Sequence, residues 1–503
     1  MSVSLLLEMA VAGDPDRDAV ACKDVVWSTT ELDGLARGGA GAIQALSVRS
    51  VAYVGTGGVM LPLLLFSAAR AGVPLAPLNY RLSADALQHL LERLPRPLIV
   101  ADPEYLDIVA SAGATIISSD DFITAAGTAD PVSAVGDPDD IAVLLFTSGT
   151  TSRPKAVELS HVNLTSYITG SVDFNSADPT DVALICVPPY HIAGVSASLS
   201  NVYAGRKTVY LPRFDPDEWI HTVRSHSVTT ATVVPTMLDR IIRVLENENE
   251  PTGLPSLQTL AYGGSKAPQP LVRKALALLP QVGFVNAYGL TETSSTIAIL
   301  TPEDHRIAHT ATDDTVTRRL GSVGKPLPGI EIQIRADSGR VLGAGEVGEL
   351  YVRGDQVSGR YAEIGSVLDQ SGWFPTRDLA SVDDDGYLFI VGRSDDTIIR
   401  GGENIAPAEL EDILVEHPAV HEVAVVGVDD PEWGQIIVAA VVPAPNTDPD
   451  PEDLRAFVRE NLRGSRTPDR VVFCDQLPTT ATGKVVRREL VAALRTGHPG
   501  HTD

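Results

Sequence analysis

The sequence predicts an α/β fold: a large N-terminal domain of two α/β sheet halves plus a β-rich subdomain, followed by a small, mobile α+β C-terminal domain. Three observations carry this. The chain has 503 residues, more than one hydrophobic core usually serves. Apolar β-branched runs alternate with helical patterns as far as Ile299. The texture then changes twice, after Gly321 and again near Asp396.

From Ser28 to about Pro138, runs such as Val51 to Val54 and Leu98 to Val100 alternate with patterns such as Ser83 to Arg93, where Ser83 and Asp85 suit a helix start. This is the rhythm of a parallel sheet covered by helices. It recurs from Ile141 through Ile299, with strands expected at Ile141 to Phe146, Val182 to Val187 and Thr230 to Val234, which makes two similar halves. Beyond Gly321, short alternating segments such as Ile330 to Ile334 and Gly348 to Val352 read as a β-rich closure of the large domain. After Gly401 the chain begins anew with an expected capped helix, strands at Val420 to Val428 and Ile436 to Val442, and a Pro/Asp-rich connection at Pro443 to Pro451. The expected domains are therefore 1–395 and 396–503, with the hinge at Asp396. There is no tandem repeat.

Composition narrows the function. Hydrophobic residues make up 44% and charged residues 21%, an ordinary folding chain. With 39 Lys+Arg against 65 Asp+Glu the net charge is −26, which argues against a nucleic-acid partner. Cys22, Cys186 and Cys474 have neither pairing nor metal-ligand spacing, which fits a reducing cytoplasm. Met1 to Ala12 has no basic leader region. The apolar stretch Val59 to Ala69 contains Pro62 and stops at Arg70, so it suits a buried helix and no transmembrane segment is expected.

The strongest motif is Phe146-Thr147-Ser148-Gly149-Thr150-Thr151-Ser152-Arg153-Pro154-Lys155, which follows an apolar strand. Backbone N–H groups around Gly149, the hydroxyls and the Lys155 ammonium together suit triphosphate oxygens. Pro154 stands where a Walker A loop needs glycine. Further motifs follow in order: Pro188-Pro189-Tyr190-His191, Tyr262-Gly263-Gly264-Ser265, Tyr288-Gly289-Leu290-Thr291-Glu292, Gly372 to Asp378, Gly392-Arg393, Gly401-Gly402-Glu403-Asn404 and Pro478 to Lys484. Together, over nearly the whole chain, they resemble the superfamily of acyl-CoA synthetases, non-ribosomal-peptide adenylation domains and luciferases. Within it the chain looks most like bacterial fatty-acyl-CoA synthetases and fatty-acyl-AMP ligases.

The resemblance implies an ATP-dependent acid–thiol ligase that makes an acyl-AMP, releases pyrophosphate and passes the acyl group to CoA. It implies that Lys484 reaches the α-phosphate and the attacking carboxylate, where a fixed ammonium would meet the charge built in the transition state. Glu292 would hold Mg²⁺ and Thr291 the α-phosphate. The nucleotide would lie among Thr147, Ser148, Gly149, Thr150, Thr151, Lys155, Gly263, Gly264, Ser265 and Gly289, with Tyr288 against adenine and Asp378 and Arg393 at the ribose. His191 would stand beside the substrate carboxylate. The acyl pocket would be lined by Tyr190, His191, Ala193, Gly194, Val234 and Pro235, and the thiol tunnel by Gly401 and Gly402.

The chain departs from that pattern in places. Ser152 and Ala156 stand at usual glycines of the phosphate loop, Arg377 replaces the glycine before Asp378, and Asp395 replaces a common basic residue at the hinge. The last change weakens the expectation of CoA, whose phosphates want Lys or Arg, and keeps the phosphopantetheine of an acyl carrier protein as the alternative acceptor. A stripe of Arg455, Arg459, Arg463, Arg466 and Arg470 could meet either acceptor, or could be a solvated face paired with Glu452 and Glu460. Strings such as Pro154 to Val157 and Asn404 to Pro407 resemble, more loosely, an actinobacterial fatty-acyl-AMP ligase subgroup that loads carrier proteins. No carboxylate for a substrate α-ammonium is visible near Tyr190-His191. Ile192 to Ser196, Val234 to Met237 and Ser265 to Ala267 are largely apolar or small, so a fatty or other hydrophobic acid is expected. Gly55 to Met60 lacks the third glycine of a dinucleotide fingerprint, and neither a Gly-x-Ser-x-Gly elbow nor His-Glu-x-x-His occurs.

Overall fold

In the expected buried helix, Met60–Ala71, every residue from Met60 to Arg70 is buried, and Gly72, at φ +72, ends it. That conformation costs a side-chain-bearing residue and suits glycine. Arg70 is fully buried and pairs with Asp33 at 2.5 Å and Glu8 at 3.6 Å, so its charge is compensated inside the core. The computed structural model describes residues 1–147, 154–247, 253–431, 433–462, 466–480 and 484–496, apart from the side chains of Asn404 and Thr496. Among the described residues no helix is long and apolar enough to cross a membrane.

Among the described residues there are two large sheets. The first runs in the order Lys325–Pro326, Ser295–Leu300, Gly283–Leu290, Thr259–Gly263, Thr230–Val233, Val182–Ile185, Lys207–Tyr210, Asp18–Cys22, Val25–Ser28. It is parallel from Gly283–Leu290 to Asp18–Cys22 and antiparallel at both edges. The second runs Gly365–Ser366, Arg360–Tyr361, Lys155–Ser160, Ile141–Thr147, Leu75–Pro77, Ser50–Val54, Pro97–Ala101, Thr115–Ser118. Two sheet halves are therefore present, as expected, but not with the expected membership. The Asp18–Cys22 strand pairs with Lys207–Tyr210 in the other half of the chain, and the Ile141–Thr147/Lys155–Ser160 hairpin belongs with the earlier strands. An apolar run specifies a strand but not its neighbour, and these exchanges join residues far apart in sequence.

A four-stranded antiparallel sheet, Glu331–Arg335, Gly348–Arg353, Phe374–Val382 and Leu388–Arg393, is the expected β-rich segment. Among the described residues past Asp396, five strands and three helices, Pro407–Leu414, Pro451–Asn461 and Arg487–Thr496, enclose separate apolar clusters around Val425, Ala439, Leu454 and Leu490. The helix expected to be capped opens instead on Pro407, with Ala406 before it making no side-chain cap bond. Proline at the first turn needs no N–H partner and supplies the helical φ. The two sides meet through Lys266–Asp412 at 2.6 Å and the Arg243 guanidinium 2.6 Å from the His421 ring. The arginine stripe is a paired face: Arg455 and Arg459 both bind Glu452, and Arg466 binds Glu403 and Glu409. Arg463 lies outside the described residues.

Candidate active site

Alternating burial along Phe374–Val382 turns Asp378 inward, where it is 4% exposed. The neighbouring strand sets Arg393 opposite it in register. Arg393 Nη1 donates to Asp378 Oδ1 at 3.1 Å, and the Tyr288 hydroxyl donates to Oδ2 at 2.5 Å. Both carboxylate oxygens are thus engaged by residues from two different sheets. Burial raises the Asp378 pKa, opposed first by Arg393. Burial also pushes the Tyr288 hydroxyl far above its usual range, reinforced by Asp378, so it remains a donor.

Lys484 lies within electrostatic reach of this group. The residue as a whole is exposed, but desolvation of its ammonium, then Arg393, lower its pKa against the pull of Asp378 and Asp396. Asp396 is itself held by Arg487 at 3.4 Å, and Arg487 also binds the Glu411 carboxylate at 2.5 Å. Lys484 is therefore within electrostatic reach of both Asp378 and Asp396. Arg377, at φ +64, takes a left-handed turn in which its carbonyl accepts from Ser394 Oγ at 3.1 Å. This ties the residue before Asp378 to the turn that contains Asp396.

The phosphate-loop hairpin pairs Thr147 with Lys155, and Thr147 Oγ1 donates to the Lys155 carbonyl at 3.5 Å. Ser148, Gly149, Thr150 and Thr151, like Ser152 and Arg153, lie outside the described residues. The Lys155 ammonium stands 5.4 Å from the centre of the Tyr361 ring. The Tyr361 hydroxyl donates to Glu292 Oε1 at 2.8 Å. Glu292 sits in the single turn Thr291–Thr293, directly after the strand that carries Tyr288. Gly289 is required there, because a Cβ would lie 1.9 Å from the Ser295 carbonyl oxygen. Among the described residues no cluster of three or more metal-ligating side chains exists. The single half-buried Glu292 carboxylate fits Mg²⁺, which is commonly held by one or two carboxylates together with substrate phosphates.

The Tyr190 and His191 rings pack with centres 4.6 Å apart, tilted by 50°, at the start of the Ile192–Tyr203 helix. The Tyr190 hydroxyl and His191 Nε2 are buried with no hydrogen-bond partner. Burial, then Arg81, lower the His191 pKa to about 4, so the ring is neutral at pH 7. Ala193 and Gly194 form the first turn of that helix. Val234 and Pro235 open the Pro235–Glu246 helix next to Gly264, and Ser265 follows, half-buried. Ser196 Oγ, in the helix that Ala193 and Gly194 begin, bonds Ser295 Oγ at 3.1 Å, and the fully buried hydroxyl of the adjacent Ser294 has no partner. Gly401 and Gly402 are both exposed, and Gly401 lies against the Trp433 ring. Tyr361, Arg487 and the serine cluster escaped sequence reasoning, since none of them belongs to a motif.

The histidines set an acid limit. His161 is buried, accepts the Val3 N–H at 3.2 Å, and has its pKa lowered to about 4 by burial. In the unfolded chain both His161 and His191 protonate near 6.5, so between pH 6.5 and 4 the unfolded state binds more protons. Their contribution is complete above pH 6.5 and is lost as pH falls toward 4, by at most roughly 3 kcal/mol each. The thermal midpoint should therefore drop between pH 6.5 and 4.5. His161→Gln should flatten that drop, and an unchanged slope in differential scanning fluorimetry would refute the assignment.

Two family models match the chain: one described as AMP-binding enzyme over residues 7–362, and one described as AMP-binding enzyme C-terminal domain over residues 409–484. A feruloyl-CoA synthase from Amycolatopsis is 34% identical, covering 90% of each chain. The fatty acid–[acyl-carrier-protein] ligase ScoC from Streptomyces coeruleorubidus is 32% identical, covering 95% of this chain and 93% of that one. The o-succinylbenzoate CoA synthetase MenE from Bacillus subtilis, solved with its acyl-adenylate intermediate, superposes with a TM-score of 0.84 at 30% identity, covering 96% of this chain and 97% of that one. The same enzyme has been solved with ATP and a magnesium ion.

Proposed function

Since the chain belongs to the AMP-binding enzyme family and is an AMP-forming acid–thiol ligase, we propose that it activates a hydrophobic carboxylic acid, fatty or aromatic, and transfers the acyl group to the thiol of CoA. The observation that carries this reading is the Tyr288–Asp378–Arg393 constellation with Lys484 in its electrostatic reach. Asp378 accepts the ribose hydroxyls, held in place by Arg393 and Tyr288, and the Tyr288 ring lies against adenine. Lys155 and Thr147, with Ser148 to Thr151, hold the β- and γ-phosphates, and Gly263, Gly264, Ser265 and Gly289 let the backbone approach the nucleotide. A magnesium ion at Glu292 would neutralise charge on the departing pyrophosphate.

The acid's carboxylate attacks the α-phosphorus, the bond to the β-phosphate oxygen breaks, and pyrophosphate leaves. Lys484 and Thr291 meet the charge on the α-phosphate oxygens. The neutral His191 ring can sit beside the reacting carboxylate without adding a charge. In the second half-reaction the domain of residues 396–503 turns about Asp396 and presents Gly401 and Gly402. The thiol then attacks the acyl carbonyl carbon and AMP departs. The Arg377–Ser394 bond and the Lys266–Asp412 pair belong to the first of these states. Free Cys22, Cys186 and Cys474 support work in the cytoplasm.

A second acceptor, the phosphopantetheine of an acyl carrier protein, is favoured by the likeness to ScoC. Arg455, Arg459 and Arg466 are already paired, which weighs equally against CoA phosphates and an acidic carrier and favours neither acceptor. Pyrophosphate release and acyl-AMP are to be measured with a panel of C4–C18 fatty acids, cinnamic acids and arylacetic acids, with CoA or a loaded carrier protein supplied separately. Rapid acyl-CoA formation is the expected result. Acyl-AMP that persists with CoA but discharges onto the carrier would move the acceptor to the protein, and no pyrophosphate with any acid would overturn the ligase reading.

A further inference from the structure

The segment Gln356 to Glu363 lies outside every motif used above, yet it touches both halves of the triphosphate site. Toward the Thr291–Thr293 turn, Gln356 Nε2 donates to the carbonyls of Thr293 and Thr296, each at 2.9 Å, and the Ser358 N–H donates to the Glu292 carbonyl at 2.9 Å. Toward the phosphate-loop hairpin, Tyr361 pairs with Val157 as a strand neighbour, the Ala362 N–H donates to the Ala156 carbonyl at 2.9 Å, and Arg360 binds Glu158 at 2.5 Å. Tyr361 is the residue whose side chain reaches both: its hydroxyl donates to Glu292 Oε1 at 2.8 Å, and its ring stands 5.4 Å from the Lys155 ammonium.

From this we propose that Tyr361 is a positioning residue for the nucleotide polyphosphate, fixing the Glu292 carboxylate by its hydroxyl and the Lys155 ammonium by its ring. The proposal rests on Glu292 as the Mg²⁺ carboxylate and Lys155 as a phosphate contact. A carboxylate has one oxygen to spare for a metal when the other accepts a fixed hydrogen bond, and its rotation is then restrained. A ring facing an ammonium attracts it electrostatically and limits where a long, flexible side chain sits. The two effects are separable, because Phe keeps the ring and loses the hydroxyl whereas Ala loses both.

The test uses the full chain and equilibrium binding of a non-hydrolysable ATP analogue by calorimetry, titrated with Mg²⁺, beside pyrophosphate exchange. For Tyr361→Phe the Mg²⁺ concentration that half-saturates analogue binding should rise about 3–10-fold. Metal-free analogue binding and AMP binding should stay within twofold. For Tyr361→Ala metal-free binding should weaken as well, because Lys155 is released. Glu292→Gln separates the two readings. If it leaves the Mg²⁺ dependence untouched, the assignment of the metal carboxylate is wrong. If it raises the Mg²⁺ requirement while Tyr361→Phe does not, the Tyr361 proposal alone is overturned. A Tyr361→Phe variant that weakens AMP binding as much as analogue binding would also overturn it, since AMP lacks the phosphates concerned.

Discussion

Lys484→Ala should lower acyl-adenylate formation by about 10²–10³-fold, the usual range for removing one preorganised charge donor from a transition state. Carboxylate attack on the α-phosphorus concentrates negative charge on the phosphate oxygens at the moment of bond exchange, and Lys484 is the ammonium within electrostatic reach of Asp378 and Asp396. Its pKa is depressed by burial and by Arg393, so it loses its proton more readily than an ordinary lysine, and the adenylation rate should be bounded on the alkaline side by that loss. Lys484→Arg, with a group that stays protonated, should move the alkaline limit upward even where it lowers the maximal rate. Thioester formation from supplied acyl-AMP should change less than fivefold in Lys484→Ala, because in the second half-reaction the proposed rotation about Asp396 has carried Lys484 away from the α-phosphate. Single-turnover measurement of each half-reaction checks this, and equal losses in both would remove Lys484 from the adenylation step.

Asp378→Asn should raise the KM for ATP by roughly 30-fold while leaving the KM for the acid within about threefold. A hydrogen bond to a charged acceptor is worth about 2 kcal/mol, and the ribose hydroxyls are the part of the substrate that Asp378 serves. The substitution also removes the buried negative charge that faces Arg393 and the desolvated Lys484, so kcat should fall as well. Tyr288→Phe is the milder probe: it removes one bond to the Asp378 carboxylate and should raise the ATP KM only several-fold. Steady-state kinetics with ATP and acid varied in turn distinguishes these effects. A uniform loss in both KM values would mean that the change acts through folding.

Much of this site could be read before any geometry was known, because the chemistry is carried in short strings: the loop ending at Lys155, the Thr291-Glu292 pair, Asp378, Arg393 and Lys484. What the strings did not reveal is how they meet. Tyr288 was expected to serve adenine by its ring, and its hydroxyl bond to Asp378 joins strands of two sheets that are far apart in sequence. Tyr361 carries no signal at all, being one aromatic residue in a two-residue strand. Ser295 comes from the segment after Glu292, and only the fold sets it against Ser196. The arginine stripe was visible as a helical pattern, and its expected pairing with Glu452 is present for Arg455 and Arg459, whereas the bonds from Arg466 to Glu403 and Glu409 join distant segments and depend on the fold.

The exchange of strands between the two large sheets also bears on how the chain is made. Val20 waits for Thr208 before it has a parallel neighbour, and Val157 waits for Tyr361. The nine-stranded sheet cannot close until Lys325–Pro326 has left the ribosome, nor the eight-stranded sheet until Gly365–Ser366 has done so. Long-range pairings of this kind fold slowly and leave apolar strand edges open in the interval. The Asp18–Cys22/Val25–Ser28 hairpin, synthesised among the first elements, thus spends much of translation as an unclaimed edge, with Val25 and Val26 facing solvent even in the finished protein. The nascent large domain accordingly keeps a strand edge open until Gly365–Ser366, almost at its end, has emerged.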